Sequence, residues 1–196
     1  TPVFLYLNDE CIGIFEIEDA IRPDSAETIS SLKSAGYNCV LVTGDKKEIA
    51  DSLSKQLNID HTHSEVLPDE KANIVTSYQD QGFIVAMVGD GINDAPAIAQ
   101  ADVGIAMGSG TDIAMETGEI VLAHGDLKAV LRATRLASAT FNKIKQNLFW
   151  AFIYNIIAIP LAFAGVLHPV MAEVAMALSS INVVGNSNRL KSVKLN

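Results

Sequence analysis

The sequence predicts an α/β domain of parallel strands followed by a pair of membrane helices, and three observations carry that expectation. Short β-prone apolar runs alternate with helix-prone segments as far as residue 122, the pattern of strands covered by helices on both faces. Residues 1–125 hold 6 Lys/Arg against 21 Asp/Glu, whereas residues 126–196 hold 8 against 2, so the two parts face different surroundings. Leu148 to Leu167 is a run of twenty residues without a formal charge. At about 1.5 Å per residue, that length crosses a hydrocarbon core of about 30 Å.

The elements follow in order. Val3 to Leu7 and Cys11 to Ile17 are β-prone and separated by Asn8, Asp9 and Glu10, which predicts a hairpin. A helix is expected from Pro23 and Asp24 to about Ala35, with Ala26, Ile29 and Leu32 on one face and Gly36 as terminator. Next come a strand from Tyr37 to Val42, a helix from Lys46 to Leu57, a helix from Pro68 to Gln81 and a strand from Phe83 to Val88. A short helix around Ala95 to Ala99, a strand from Val103 to Met107, a helical turn near Asp112 to Glu116 and a last strand from Ile120 to Leu122 complete the domain, residues 1–125.

Residues 126–147 read as a connecting helix, 148–167 and 170–186 as spans, and 187–196 as a tail. His168 and Pro169 break the apolar run between the spans. Arg132, Arg135, Lys143 and Lys145 precede the pair and Arg189, Lys191 and Lys194 follow it, which places both flanks in the cytoplasm. The competing reading is a buried pair of core helices. The net charge of −9 is concentrated in the first part. That acidity argues against nucleic acid, whose phosphates need a basic surface. Cys11 and Cys39 are far apart and form no Cys-x-x-Cys, so both read as small buried hydrophobes in a reducing compartment. The chain opens on Thr1 with no charged or cleavable leader, and the expectation is a fragment whose start lies elsewhere.

Three motifs carry chemistry. Gly89, Asp90, Gly91, Ile92, Asn93, Asp94, Ala95 and Pro96 follow the Phe83 to Val88 run, so glycines and carboxylates emerge together at the end of a buried strand. Glycine lets phosphate approach backbone, and carboxylates recruit a hard cation such as Mg²⁺. Thr43, Gly44 and Asp45 sit between a strand and a helix, where a phosphate can dock, although the same triplet serves as a helix cap. Lys71 lies in the first turn of a helix, where the dipole offers a cation nothing. Either an anionic partner or simple solvation accounts for it.

In this order and at these spacings, the three motifs resemble the second half of the haloacid dehalogenase-like (Rossmannoid) phosphorylation domain of P-type ATPases. The resemblance implies that Thr43 and Lys71 hold phosphoryl oxygens, that Asp90 helps hold Mg²⁺, and that Asn93 and Asp94 organise the loop, with Asp94 as a second Mg²⁺ candidate. The family's nucleophile, the aspartate of an Asp-Lys-Thr-Gly-Thr string, is absent, and Asp45, Lys46 and Lys47 do not supply it. The domain is therefore expected to be incomplete and inactive alone, lacking a central strand and the ATP-binding N domain. Those missing parts of the same pump are its implied partners, with the lipid bilayer. The implied location is a bacterial plasma membrane, multi-pass.

Tyr154 and Asn155 lie mid-span before Pro160, and Met176, Ser179 and Ser180 lie in the second run. Polar groups at that depth need a purpose, of which helix packing is one. The arrangement is similar to the last two helices of heavy-metal (type IB) pumps of the copper-exporting class, which implies Cu⁺ as the transported ion and a copper chaperone as a further partner. A thioether suits Cu⁺, and the Asp-x-Gly arrangement of zinc pumps is absent. Glu173, Met176 and Ser180 share one helical face, and Glu173 is offered as the outward exit, against an interfacial carboxylate that simply reaches water. Asn182 stands where the family often has a small hydroxyl residue, and His61 and His63 are placed in a polar loop that binds nothing. The alternatives are a zinc, cadmium or other cation pump, a soluble phosphatase of the same fold, and a non-catalytic remnant.

Overall fold

The computed structural model describes residues 2–16, 20–90, 92–108, 117–122, 126–166 and 168–193. Two compact units, residues 1–128 and 129–196, are described separately.

In the first unit, β1 (Pro2–Leu7) and β2 (Glu10–Glu16) form an antiparallel hairpin. Asn8 and Asp9 adopt positive φ at its turn, a conformation that their short polar side chains tolerate. Phe4, Tyr6, Ile14 and Phe15 are all more than half exposed, so both faces of the hairpin are open. Helix α1 (Ser25–Ser34) leads to β3 (Val40–Val42), α2 (Lys47–Leu57), β4 (His61–His63) and α3 (Pro68–Asp80). Then come β5 (Ala86–Gly89), a 3₁₀ turn (Ile92–Asp94), α4 (Ala95–Gln100), β6 (Val103–Met107) and β7 (Ile120–Leu122). Strands β3 and β4 pair in parallel, and β5, β6 and β7 form a second parallel sheet in that order. Among the described residues the two sheets share no ladder.

The core lies where α4 covers β5 and β6. Ala97, Ile98, Ile105 and Ala106 are essentially sealed from water. A Cβ on Gly104 would come within 2.7 Å of both the Ile98 side chain and its carbonyl oxygen, so only glycine lets α4 settle this close to β6. The turn after α4 is tied by Asp102, whose carboxylate accepts the Val85 N–H at 2.8 Å just before β5. That bond, reinforced by the Gln79 side chain, holds the Asp102 carboxyl below its usual range. A carboxylate with a lowered folded value stabilises the fold above its unfolded pKa of about 4, and that contribution is lost as pH falls further. Asp102→Asn is expected to lower urea stability at pH 6 while leaving it nearly unchanged at pH 2. An equal loss at both values would contradict this.

The second unit contains α5 (Lys128–Phe163), which begins at the boundary, and α6 (Pro169–Asn188), followed by a 3₁₀ turn (Arg189–Ser192). Among the described residues α5 is the one helix long and apolar enough to cross a membrane. A ladder of side chains joins α5 to α6. Lys143 Nζ donates to Asn186 Oδ1 at 3.0 Å, Asn186 Nδ2 to Asn147 Oδ1 at 2.8 Å, Asn147 Nδ2 to Ser187 Oγ at 2.8 Å, and Asn182 Nδ2 to Tyr154 Oη at 2.7 Å.

Several expectations need correction. The segment His61 to His63 is a strand, not a loop, because its backbone completes a ladder with β3 while the Thr62 and His63 side chains find partners. Ser54 and Thr62 share a hydroxyl hydrogen bond, and His63 Nε2 lies 3.1 Å from Tyr78 Oη. Pairing also begins late in two strands, at Val40 rather than Tyr37 and at Ala86 rather than Phe83. The expected connecting helix and first span are one 36-residue helix, which ends at Phe163 instead of Leu167. Gly165, at φ +70°, turns the chain there, and Val166 N–H closes back on Leu161 O at 3.1 Å. Cys39 is buried, which pushes its thiol pKa up, but Cys11 is exposed on the hairpin. The helical turn expected near Asp112 to Glu116 and the hinge residue Gly91 lie outside the described residues.

Candidate active site

The site is built at the ends of β3 and β5. Val40 to Val42 runs beside β4, so the chain leaves the sheet at Thr43 with its N–H already bonded to His63 O at 2.9 Å. Thr43 O in turn accepts Val66 N–H at 3.1 Å, two residues before α3 begins. The Thr43 hydroxyl donates to Asp45 Oδ2 at 2.8 Å and accepts Asp45 N–H at 3.1 Å. This closed ring holds Thr43, Gly44 and Asp45 as a tight turn ahead of α2.

Helix α3 starts on Pro68, and Glu70 accepts the Leu67 N–H at 3.0 Å, which secures its first turn. Lys71 follows in that turn. Its ammonium donates to Asp94 Oδ1 at 2.6 Å, with the two side chains only 14% and 15% exposed. The lysine predicted to face an anion therefore has a carboxylate partner 23 residues away in sequence. A charge pair this sheltered fixes the ammonium in place, because leaving either charge unpaired costs about 3 kcal/mol.

Gly89, the last residue of β5, makes room for that pair. A Cβ there would lie 2.6 Å from Asp94 Cβ and 2.8 Å from its Oδ2. The Asp94 carboxylate thus packs directly on the Gly89 backbone with one oxygen while the other holds Lys71. Asp90, the next residue, is exposed at the strand end, and Asn93 is exposed in the 3₁₀ turn. The contacts link all three motifs: the Thr43 turn to Val66, α3 to Lys71, and Lys71 to Asp94. A shallow cleft of about 360 Å³ on α3, lined by Ser64, Glu65, Val66, Glu70 and Asn73, has none of Thr43, Lys71, Asp90 and Asp94 in its lining, and its carboxylates make it unsuited to phosphate.

In the second unit the residues singled out for an ion divide between two surfaces. Tyr154 lies half-buried in the seam between α5 and α6, where Asn182 meets it. Asn155, Met176 and Ser180 lie on exposed faces, Met176 at 69% exposure, and Ser179 is half-buried. Asn155 Nδ2 bonds to Ala151 O and Ser180 Oγ to Met176 O, each within its own helix. Glu173 is exposed on the same side as Met176 and Ser180, five residues after the His168 cap of α6. Asn182, which stands where the family often has a small hydroxyl residue, supplies the bond to Tyr154 across the seam. Its role as a cross-helix donor depends on the facing of two helices, which no local motif encodes.

A model of the haloacid dehalogenase-like hydrolases matches residues 2–102. The chain belongs to the haloacid dehalogenase-like hydrolase family. This haloacid dehalogenase-like chain is 45% identical, over 98% of its length, to a copper-exporting P-type ATPase of Legionella pneumophila. It is 50% identical, over 99% of its length, to a probable copper-importing P-type ATPase A of Enterococcus hirae. It spans 27% of the length of either relative. A crystal structure of a zinc-transporting PIB-type ATPase in its E2.Pi state superposes on 96% of the chain with a TM-score of 0.88 and 36% identity, the chain covering 31% of that structure.

Proposed function

We propose that this chain is the C-terminal part of an ATP-driven Cu⁺ export pump that cycles through an aspartyl phosphate, the phosphorylated aspartate lying outside these residues. The observation that carries the reading is the sheltered Lys71–Asp94 pair seated on Gly89 and tied through α3 to the Thr43 turn. It is a preorganised place for a phosphoryl group with no nucleophile of its own. The lack of a ladder between the β3–β4 and β5–β6–β7 sheets among the described residues supports an inner strand supplied by the upstream part of the same pump, and the open apolar hairpin supports further burial against that part.

In this reading Lys71 places its charge against the equatorial oxygens of the phosphoryl group, and Thr43 turns its hydroxyl from Asp45 to one of them. Both act without reorganising the backbone, which is where most phosphoryl-transfer catalysis originates. The donor set suits Mg²⁺, which is commonly held by one or two carboxylates plus phosphate and water. Asp90, exposed at the strand end, is the principal donor in this assignment. Asp94, whose Oδ1 is engaged by Lys71, orients the lysine and contributes at most its second oxygen. When bound, Mg²⁺ neutralises charge and aligns the donor and acceptor oxygens. ATP is held mainly by the N domain outside this chain.

The α5–α6 pair is assigned as the membrane hairpin. Contact between Lys143 and Asn186 brings the two basic flanks to one end of the pair, which supports both flanks, and the domain, lying in the bacterial cytoplasm. The faces bearing Asn155, Met176 and Ser180 would then close against the pump's other helices, forming an ion site with Tyr154 and Ser179. Glu173 is proposed at the outward end. The Met176 thioether favours Cu⁺ over Zn²⁺, and the names of the relatives at 45% and 50% identity support copper. Zinc is the second reading, favoured by the TM-score of 0.88 to the zinc transporter.

The two separate in the complete protein. ATP hydrolysis in membranes is expected to be stimulated by Cu⁺ and not by Zn²⁺, with Met176→Leu raising the half-saturating Cu⁺ concentration about tenfold, the worth of one ligand at roughly 1.4 kcal/mol. ATP-dependent Cu⁺ accumulation in inside-out vesicles is expected for export. Stimulation by Zn²⁺ alone would replace the ion assignment.

A further inference from the structure

We propose that Asn182 is a positioning residue for the ion site, acting by holding the Tyr154 phenol; this rests on the reading of Tyr154 as part of that site. Tyr154 stands in a stretch of α5 that is apolar but for Asn155, and a phenol oxygen without a partner is costly there. Asn182 Nδ2 donates to that oxygen across the seam at 2.7 Å. One turn earlier on α5, the Trp150 ring lies tilted against the Tyr154 ring with centroids 6.5 Å apart. The ring is thus braced at its face and its hydroxyl is fixed at its tip.

Among the described residues assigned to the ion, this is the one hydrogen bond that crosses between helices; those of Asn155 and Ser180 stay within their own helices. Asn182 also shares a face with Asn186 one turn on, which bonds to Asn147 and Lys143. The seam is therefore registered at two levels. The phenol oxygen retains a lone pair and its own O–H for use toward an ion or its escort water, while the amide consumes only one acceptor position. Helical spacing puts Asn182 on a different face of α6 from Met176 and Ser180, so its effect on an ion passes through Tyr154.

The competing account is that the pair is generic helix glue. Glue alone would alter yield or maximal turnover and leave metal dependence unmoved. The test is Cu⁺-stimulated ATP hydrolysis by the complete protein in membrane vesicles, comparing wild type, Asn182→Leu, Tyr154→Phe and the double variant. Asn182→Leu is expected to raise the half-saturating Cu⁺ concentration about three- to tenfold, the range of interhelical hydrogen bonds in membranes, with the KM for ATP unchanged. Tyr154→Phe is expected to give a similar factor, and the double variant no more than the larger single effect. Asn182→Gln, which keeps the donor amide, should recover most of the shift. With a copper-stimulated wild type, an unchanged half-saturation in Asn182→Leu, or factors that multiply in the double variant, would overturn the inference. A wild type indifferent to Cu⁺ would instead sink the pump assignment on which it rests.

Discussion

Asp90→Asn in the complete protein is expected to lower Mg²⁺-dependent ATP turnover by about 10³-fold or more. The substitution keeps the size of the side chain and removes its charge. Asp90 is exposed just beyond the end of β5, where an asparagine is accommodated without repacking. What it loses is a hard anionic oxygen for Mg²⁺, and a metal that stabilises a developing phosphoryl charge contributes several kcal/mol, about tenfold in rate for each 1.4 kcal/mol. Raising Mg²⁺ should recover part of the rate if the loss is in binding. Turnover within about tenfold of wild type at ordinary Mg²⁺ would place the metal elsewhere.

Gly89→Ala is expected to cost nearly as much without removing any functional group. Its new Cβ would stand 2.6 Å from Asp94 Cβ, against about 3.5–4.0 Å for carbon atoms in contact. The obstacle is the root of the Asp94 side chain, not its flexible end, so the 3₁₀ turn must move. When Asp94 moves, its bond of 2.6 Å to Lys71 is lost or bent, and the ammonium leaves the position where a phosphoryl group would meet it. A displacement of about 1 Å in a catalytic arrangement can cost about 10²-fold, and the fold is expected to weaken by about 1–3 kcal/mol from overpacking. Single-turnover phosphorylation from ATP measures the first effect and thermal denaturation the second. If the phosphorylation rate is unaffected, the seating of Asp94 on Gly89 has no bearing on the chemistry.

Both predictions depend on contacts of different legibility. The glycines and carboxylates of the hinge were visible in the sequence because a buried strand runs directly into them, and β6 and β7 emerged at the expected bounds because each is a short apolar run with clear ends. Strand β4 was not visible. His61, Thr62 and His63 carry no apolar periodicity, and they form a strand because β3 offers a backbone ladder. The converse holds at β5, where Phe83 and Ile84 are apolar yet exposed and precede the first paired residue.

The residues of the candidate site were legible one by one, but not their pairing. Lys71 and Asp94 each suggested a role toward a ligand or metal, and only the packing of α3 against the turn before α4 makes them partners. The helix pair repeats the pattern. A common face for Glu173, Met176 and Ser180 follows from helical periodicity, and all three are exposed together. That Tyr154 turns instead into the seam, onto Asn182, depends on how α5 faces α6, and periodicity within one helix carries no information about its neighbour.

The central claim is that these residues complete a phosphoryl site whose aspartate is supplied by the rest of the same pump. Labelling the complete protein with γ-³²P-ATP tests it most directly. The account predicts an acid-stable, hydroxylamine-labile label that needs Mg²⁺ and Cu⁺ and is lost in Asp90→Asn; release of free phosphate with no covalent label at any metal concentration would contradict it.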